Sequence, residues 1–403
     1  MATERKPLDG IRVFDMTRVL AGPYCTALLA DLGAEVIKLE PIAGDEYRHV
    51  GPFQDGESAL FLLTNRGKKS ISIDLKQEDG LALARDIARN CDVAVENFRP
   101  GVAARLGLGP DDLKALKPDI IYASISGFGQ TGPWTDLPAY DLVVQAMSGL
   151  MAVTGEEGGA PLKVGESFGD LAAGLFASWA ILAAVVQHAR TGEGSVIDVA
   201  MYDTLFSLLP TAHAQYLYSG REPQRVGNRH PLSTPFGCYQ ATDGLFAIAV
   251  LNDRQFAGFA SLIGAPGLEK NPKFASDSAR TENEAELRGI IEEWSSRQTV
   301  DDLIEALSAA HIPCAPIRSI PQAVASPQTK ARELIGSLTH PSIGPVPVVS
   351  QPVRFDGKKP ASDSAAPLLG GDAEDILVRL AGRTTEEIEM LRASGVIGGT
   401  GMP

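Results

Sequence analysis

Leu8–Glu40 reads LDGIRVFDMTRVLAGPYCTALLADLGAEVIKLE, and its pattern decides the fold class. Ile11–Phe14 is a short β-branched and aromatic run, which predicts a strand. Pro23–Leu32 is rich in Ala and Leu and opens on Pro, which predicts a helix. Glu35–Leu39 predicts a second strand. The turn between the first strand and the helix, TRVLAGP, holds Gly22 and Pro23. It is either an ordinary strand-to-helix turn or a ligand-facing one. A strand, a helix and another strand in that order form a crossover unit between parallel neighbours.

The same alternation continues outward. Strands are predicted at Ser70–Asp74, Asp92–Val95, Ile120–Ile125 and Val196–Val199. Helices are predicted between them at Gly80–Asn90, Asp111–Leu116, Val143–Met151 and Leu171–Ala189. The expected fold class is α/β, with a mostly parallel sheet covered on both faces and ligands bound beyond the strand C-termini. Past residue 220 the texture changes. Arg221–Pro235 is rich in Pro, Arg, Asn and Gly and reads as a loop. Cys238–Ala241 and Leu245–Val250 predict a hairpin around Asp243–Gly244. Helices follow at Asp253–Leu262, Glu282–Ser295 and Val300–Ala310. The expected organisation is a large domain over residues 1–220, a small α+β domain over 221–321, and a return to the large domain over 322–403. In that last part Pro341–Ala366 reads as extended, and helices are expected at Asp372–Leu380 and Thr385–Ala393.

The 403 residues carry a net charge of −14, which argues against nucleic acid as the main partner, since a duplex needs a broad basic surface. Local cations can still hold a phosphorylated ligand on an acidic protein. The cysteines Cys25, Cys91, Cys238 and Cys314 are scattered, without paired spacing for a metal, and read as free thiols in a reducing compartment. The start, MATERKPLDG, has no apolar signal core. The longest apolar run, Leu171–Val186, falls short of the ~20 residues of a membrane span and reads as a core helix. The expectation is a cytoplasmic protein with no membrane and no nucleic-acid partner.

Several residues invite chemistry. Asp170 follows Gly169 and stands before the most apolar helix. As a helix cap its carboxylate accepts first-turn amides. As a nucleophile it needs to be held and desolvated in a pocket, and the two roles are compatible. Asn65–Lys69, NRGKK, is either a solvated charge run or a phosphate site. Asn97, Phe98, Arg99 and Arg105, after another strand, carry the same two readings. Gly227–Pro231, GNRHP, is either a surface turn or a loop over a site. No nucleotide-binding glycine fingerprint and no P-loop occur, which weakens a dinucleotide oxidoreductase. Read from the residues alone, the chain is an α/β enzyme-like scaffold with a charged carboxylate at a helix start.

Beyond that, the whole chain resembles the class III CoA-transferases, the family of formyl-CoA transferase, carnitine CoA-transferase and α-methylacyl-CoA racemase. Leu8–Glu40 carries the resemblance, as do NRGKKSISIDL, VENFRPGVAARLGLG, ISGFGQTGPW, PAYDLVVQAMSGLM, HARTGEGSVIDVAMYD, GNRHP, HIPCAPI and APLLG. The resemblance implies a Rossmann-like large domain built from both chain ends, a smaller domain from the middle, and two interlocked subunits in a homodimer. It implies acyl-CoA and a small carboxylic acid as substrates, no permanently bound cofactor and no metal. It places the nucleophile at Asp170, which takes the acyl group as a mixed anhydride and then CoA as an aspartyl thioester. CoA contacts fall on Val19, Leu20, Ala21, Ile73–Lys76 (Ile73 and Lys76 at its ends), Asn97, Phe98, Arg99, Arg105 and Pro138–Tyr140. Pro41 stands where formyl-CoA transferase has an adenine-stacking Arg, and the glycine run over that enzyme's site is replaced by Gly227–Pro231.

The racemase branch pairs the equivalent Asp, used as acid and base, with a His that is Tyr140 here. A phenol with a reference pKa near ~10 is a poor proton carrier at neutral pH. Transfer is therefore the leading expectation, with a racemase or an inactive CoA-binding scaffold as alternatives. Within the transferases, the texture is closest to members using succinyl-CoA and short dicarboxylates. A second carboxylate needs a cationic or amide clamp. Arg48, Gly227, Arg229 and His230 are the candidate acceptor contacts.

Overall fold

The computed structural model describes residues 5–399, which divide into two compact units. The first runs to Leu150 and adds Lys163–His213 and the chain from Gln328 onward. It is built on a seven-stranded sheet. Its elements in chain order are β1 (Arg12–Asp15), α1 (Ala21–Asp31), β2 (Glu35–Glu40), β3 (Lys68–Ile73), α2 (Glu78–Arg89), β4 (Val93–Glu96) and β5 (Ile121–Ser126). Then follow α3 (Asp141–Met147), α4 (Phe168–Thr191), β6 (Val196–Ala200), α5 (Ala373–Ala381) and α6 (Thr385–Ala393). Across the sheet the order is Ile397–Gly398, β3, β2, β1, β4, β5, β6. The six numbered strands are parallel, and Ile397–Gly398 joins antiparallel to β3. This is the doubly wound order, whose direction of winding reverses between β1 and β4. The C-terminal ends of those two strands, at Asp15 and Glu96, therefore open the crevice where such sheets bind ligands.

Alternation along the strands separates two apolar layers. Val13, Val36, Val93, Val95, Ile121 and Ala123 pack with Cys25 and Leu29 of α1 and with Ala173, Ala177 and Ile181 of α4. Phe14, Ile37, Ile71, Ala94 and Tyr122 face the other way, onto Leu83 and Ile87 of α2 and Ile376, Leu377 and Ile388 of α5 and α6. The C-terminal helices thus complete the second layer. Helices α1 and α4 approach closely because Gly174 has no side chain. A Cβ there would sit 2.5 Å from the Ala21 carbonyl oxygen.

The predicted strands of this sheet are all present, with ends displaced by a residue or two. The region expected to be merely extended contributes a strand, Gly344–Val349, paired antiparallel with Ile335–His340. Pro345 and Pro347 fit it because a two-stranded ribbon exposes its edges. Helix α4 begins at Phe168 with Ser167 as its cap, three residues before the expected start. It is long and apolar enough to cross a membrane by length and composition, and Leu175, Phe176, Trp179 and Val186 on it are exposed.

The second unit comprises Met151–Leu162 and Ala214–Pro327. It starts somewhat before the composition change at 221, and it takes Met151–Leu162 from the middle of the long first segment. Its hairpin pairs Phe236–Gln240 with Leu245–Ala249, and Cys314–Pro316 adds a third antiparallel strand. Helices Asp253–Leu262, Glu284–Ser295 and Val300–Ala309 close over the sheet around Phe246, Phe256, Phe259, Leu287, Ile291 and Leu303.

Candidate active site

A cavity of about 300 Å³ lies beyond the C-terminal ends of β1, β4 and β5. Arg18–Ala21, the turn from β1 into α1, forms one wall. Asn97–Pro100 after β4, Ser126 and Gly127 after β5, and Tyr140 ahead of α3 form the others. Asp170 projects into it from the first turn of α4. Of the residues singled out from sequence, Val19, Leu20, Ala21, Asn97, Phe98, Arg99, Tyr140 and Asp170 share this one cavity.

Asp170 is half-buried, and among the described residues its carboxylate accepts no hydrogen bond. The expectation of a cap is therefore corrected. Asp170 is the third residue of the helix, not its cap, and its charge is not consumed by first-turn amides. Burial pushes its carboxyl up to about 7, and the neighbouring Asp141 carboxylate adds to the push. Asp141 in turn fixes the helix start. Its Oδ1 accepts the Gly169 N–H at 2.7 Å, and its Oδ2 accepts Gln145 Nε2 at 2.7 Å. Gln145 also ties down the incoming loop, donating to the Glu166 carbonyl and accepting the Val164 N–H. Gly169 is needed for this approach, since a Cβ would lie 3.1 Å from Asp141 Oδ1 and 3.0 Å from a Val144 methyl carbon. The Tyr47 phenol is also pushed up to about 12, by burial first and then by the Asp170 carboxylate.

The turn before α1 is held under strain. Val19 has φ +69°, an unfavourable setting for a β-branched residue. Asn97 brackets it, accepting the Arg18 N–H at 2.9 Å and donating to the Arg18 carbonyl at 2.8 Å. Asp45 accepts the Val19 N–H at 3.0 Å.

A second cavity, of about 480 Å³, lies alongside. Pro41, Ile42, Ile73, Leu75, Lys76 and Phe98 line it, so the expected contacts Ile73 and Lys76 sit here and not beside Asp170. Arg18 and Phe98 line both cavities, with the Arg18 guanidinium 4.9 Å from the centre of the Phe98 ring. Nη1 of Arg18 bonds Glu46 at 2.9 Å. Arg105 ends the short helix Val102–Arg105, is exposed, and lines neither cavity.

Two further expectations are corrected. Arg48 is committed elsewhere: it makes a two-pronged pair with Glu40 at 2.7 Å for each bond, donates to the Pro367 carbonyl and stacks on Phe61. Its carboxylate-binding fork is therefore already filled. The NRGKK run is not a phosphate site. Arg66 is buried against Asp31 and Lys68 against Asp15, while Lys69 pairs with Glu35 and Asp375. Gly227, Arg229 and His230 belong to the second unit. There Gly227 adopts φ +63°, Arg229 pairs with Glu157 at 2.9 Å, and His230 stacks on Phe236. Sequence reasoning passed over Arg18, Glu46 and Asp141. The last lies inside the quoted PAYD motif, and the first belongs to the TRVLAGP turn.

The model of CoA-transferase family III matches residues 8–373. The chain is 39% identical over 388 residues to a succinate–glutarate CoA-transferase of Agrobacterium fabrum, covering 94% of this chain and 97% of that one. It is 42% identical over 336 residues to an acetyl-CoA:oxalate CoA-transferase of Acetobacter aceti, covering 83% and 86%. Among solved structures, a CAIB/BAIF family protein from Brucella suis superposes with a TM-score of 0.82 at 38% identity, covering 94% of this chain and all of that one.

Proposed function

We propose that this chain, which belongs to CoA-transferase family III and so moves CoA between acyl donors and carboxylic acids, does so through Asp170, with a short dicarboxylic acid as acceptor. The observation that carries the reading is a half-buried carboxylate that, among the described residues, has no hydrogen-bond partner in the cavity at the sheet's switch point. A carboxylate left bare in this way is a better nucleophile than one solvated by water or bonded by amides. Positioning against a bound thioester supplies the rest of the advantage.

Asp170 Oδ attacks the thioester carbonyl, the C–S bond breaks, and CoA leaves as thiolate with an acyl–aspartyl anhydride behind it. The thiolate attacks the aspartyl carbonyl and releases the donor acid, leaving an aspartyl-CoA thioester. The acceptor carboxylate attacks that carbonyl and frees the thiolate again. The thiolate captures the acceptor acyl group and regenerates the Asp170 carboxylate. Each tetrahedral step places negative charge on oxygen. Leu20 and Ala21 line the same cavity at the start of α1, where a helix leaves its first N–H groups without internal partners.

The dicarboxylate preference is supported by the glutarate relative and by the cations of the cavity, Arg18 and Arg99. Among the described residues Arg18 bonds a side chain only through Nη1, on Glu46, which leaves its Nε/Nη2 edge for a two-pronged anion contact. It replaces Arg48 as the proposed clamp for the acceptor's second carboxylate. The exposed Leu175, Phe176, Trp179 and Val186 of α4 are proposed as part of a homodimer surface, which light scattering tests.

The deciding experiment incubates the enzyme with succinyl-CoA or acetyl-CoA and a panel of mono- and dicarboxylic acids. New acyl-CoA species are read by mass. Borohydride or hydroxylamine during turnover should mark Asp170, and Asp170→Ala should bind CoA without turnover. Full turnover by Asp170→Ala would refute the mechanism. Solvent deuterium entering a branched acyl-CoA at its α-carbon would point instead to racemisation.

A further inference from the structure

A buried ion pair outside the Asp170 cavity, on the wall of the second one, joins two walls of the first. Lys38, on β2, and Asp45 are fully buried, 2.8 Å apart. Asp45 Oδ1 accepts two backbone N–H groups, that of Val19 at 3.0 Å and that of Tyr47 at 2.9 Å. Val19 lines the cavity on one side, and Glu46, between Asp45 and Tyr47, lines it on another. Asp45 Oδ2 takes the Lys38 ammonium, which also donates to the Thr17 carbonyl at 2.8 Å. A single pair of side chains thus holds both ends of the Thr17–Val19 segment and ties it to the Glu46–Tyr47 segment.

Stability alone does not account for this arrangement. A buried ion pair contributes little net stability compared with apolar side chains of the same volume. A β-branched residue at positive φ persists only where surrounding bonds over-determine it, and such strain gathers at functional turns. Asp45 supplies the bond that Val19 needs, and Asn97 fixes the residue before it. The backbone so held leads directly into Leu20 and Ala21.

We infer that Lys38 and Asp45 are positioning residues for acyl transfer: the pair sets the Val19–Ala21 backbone and the Glu46–Tyr47 segment in register around Asp170. The inference rests on Asp170 as nucleophile. Neither residue lines the cavity that holds Asp170, and both stand on the wall of the second one.

The test uses three variants of the full chain: Lys38→Met, Lys38→Met with Asp45→Asn, and Lys38→Met with Asp45→Ala. Rates are expressed per CoA-binding site measured by titration, so unfolded material drops out. Lys38→Met strands a buried carboxylate and should lower kcat on the order of 10²-fold, comparable to misplacing one oxyanion donor, with the Kd for CoA within about threefold. The double variant carrying Asp45→Asn keeps an oxygen for the Val19 and Tyr47 N–H groups and removes both charges. It should recover about tenfold over Lys38→Met alone, and it should exceed the double variant carrying Asp45→Ala by a similar factor. A purely structural role leaves kcat per site unchanged in all three. That result, or equal rates for the two double variants, overturns the inference. If Lys38→Met does not fold, the comparison of the two double variants decides it. Activity in Asp170→Asn would instead show that the nucleophile was misassigned, so the two failures are distinct.

Discussion

Replacing Asp170 with Asn should make the protein more stable, but only where the carboxyl of Asp170 would be ionised. The folded chain holds that carboxyl at about 7 against an ordinary value of 3.8, chiefly through burial and then through Asp141. The native state therefore binds its proton more tightly than the unfolded chain does. Stability contributed by this site falls as pH rises through the interval from 3.8 to about 7, and it stays lost above that. About three pH units at ~1.36 kcal/mol each set a ceiling of about 4 kcal/mol. Asp170 is only half-buried against the cavity, so solvent screening reduces this to ~1–2 kcal/mol. Asn has the same shape and no charge. At pH 8.5 Asp170→Asn should unfold at a temperature a few degrees above the parent chain, since a domain of this size shifts by about 2–4 °C per kcal/mol. At pH 4 the two should unfold together. Calorimetry or urea titration at both pH values, at one protein concentration, measures the difference. A variant no more stable than its parent at pH 8.5, or equally stabilised at both pH values, would refute the account of an unpartnered, desolvated nucleophile.

Three other outcomes are expected. The acid limb of kcat/KM should lie near pH 7, because acylation needs the Asp170 carboxylate, and Asp141→Asn should move that limb to lower pH by roughly one unit, the scale expected for loss of one nearby like charge. A limb that stays in place would show that burial alone sets the nucleophile. Arg18→Gln should raise KM for a dicarboxylic acceptor by roughly tenfold or more, the scale of a two-pronged charged contact, while a monocarboxylic acid of equal length changes little. An equal effect on both acids would remove Arg18 from acceptor selection. Gly174→Ala should lower the melting temperature, because its Cβ would meet the Ala21 carbonyl at 2.5 Å and push α1 from α4, a cost of ~1–3 kcal/mol for an overpacked contact. An unchanged melting temperature would mean the helices part without cost.

The alternation of short β-branched runs with Ala/Leu stretches was enough to place a parallel sheet and most of its helices. Period-2 and period-3.6 patterns are local, so neighbouring residues display them openly. The start of α4 was not legible. In the fold Gly169 is the contact point that lets Asp141, 28 residues earlier, accept its N–H. The charged run NRGKK was misread for a similar reason. Lys68 looks solvated in sequence, but β3 lies inside the sheet, and its partner Asp15 comes from another segment. Arg48 met the same fate through Glu40.

The chain's order of residues determined the fold class, the strand–helix alternation and the candidacy of Asp170, because each depends on neighbours a few positions away. Tertiary structure alone decided that Asp170 stands bare beside Asp141, that Arg18 borders two cavities, and that Lys38 and Asp45 hold the turn at Val19. Those facts depend on which strand C-termini meet at the switch point and on how much water remains there. Distance and dielectric between segments far apart in sequence exist only once the sheet has closed.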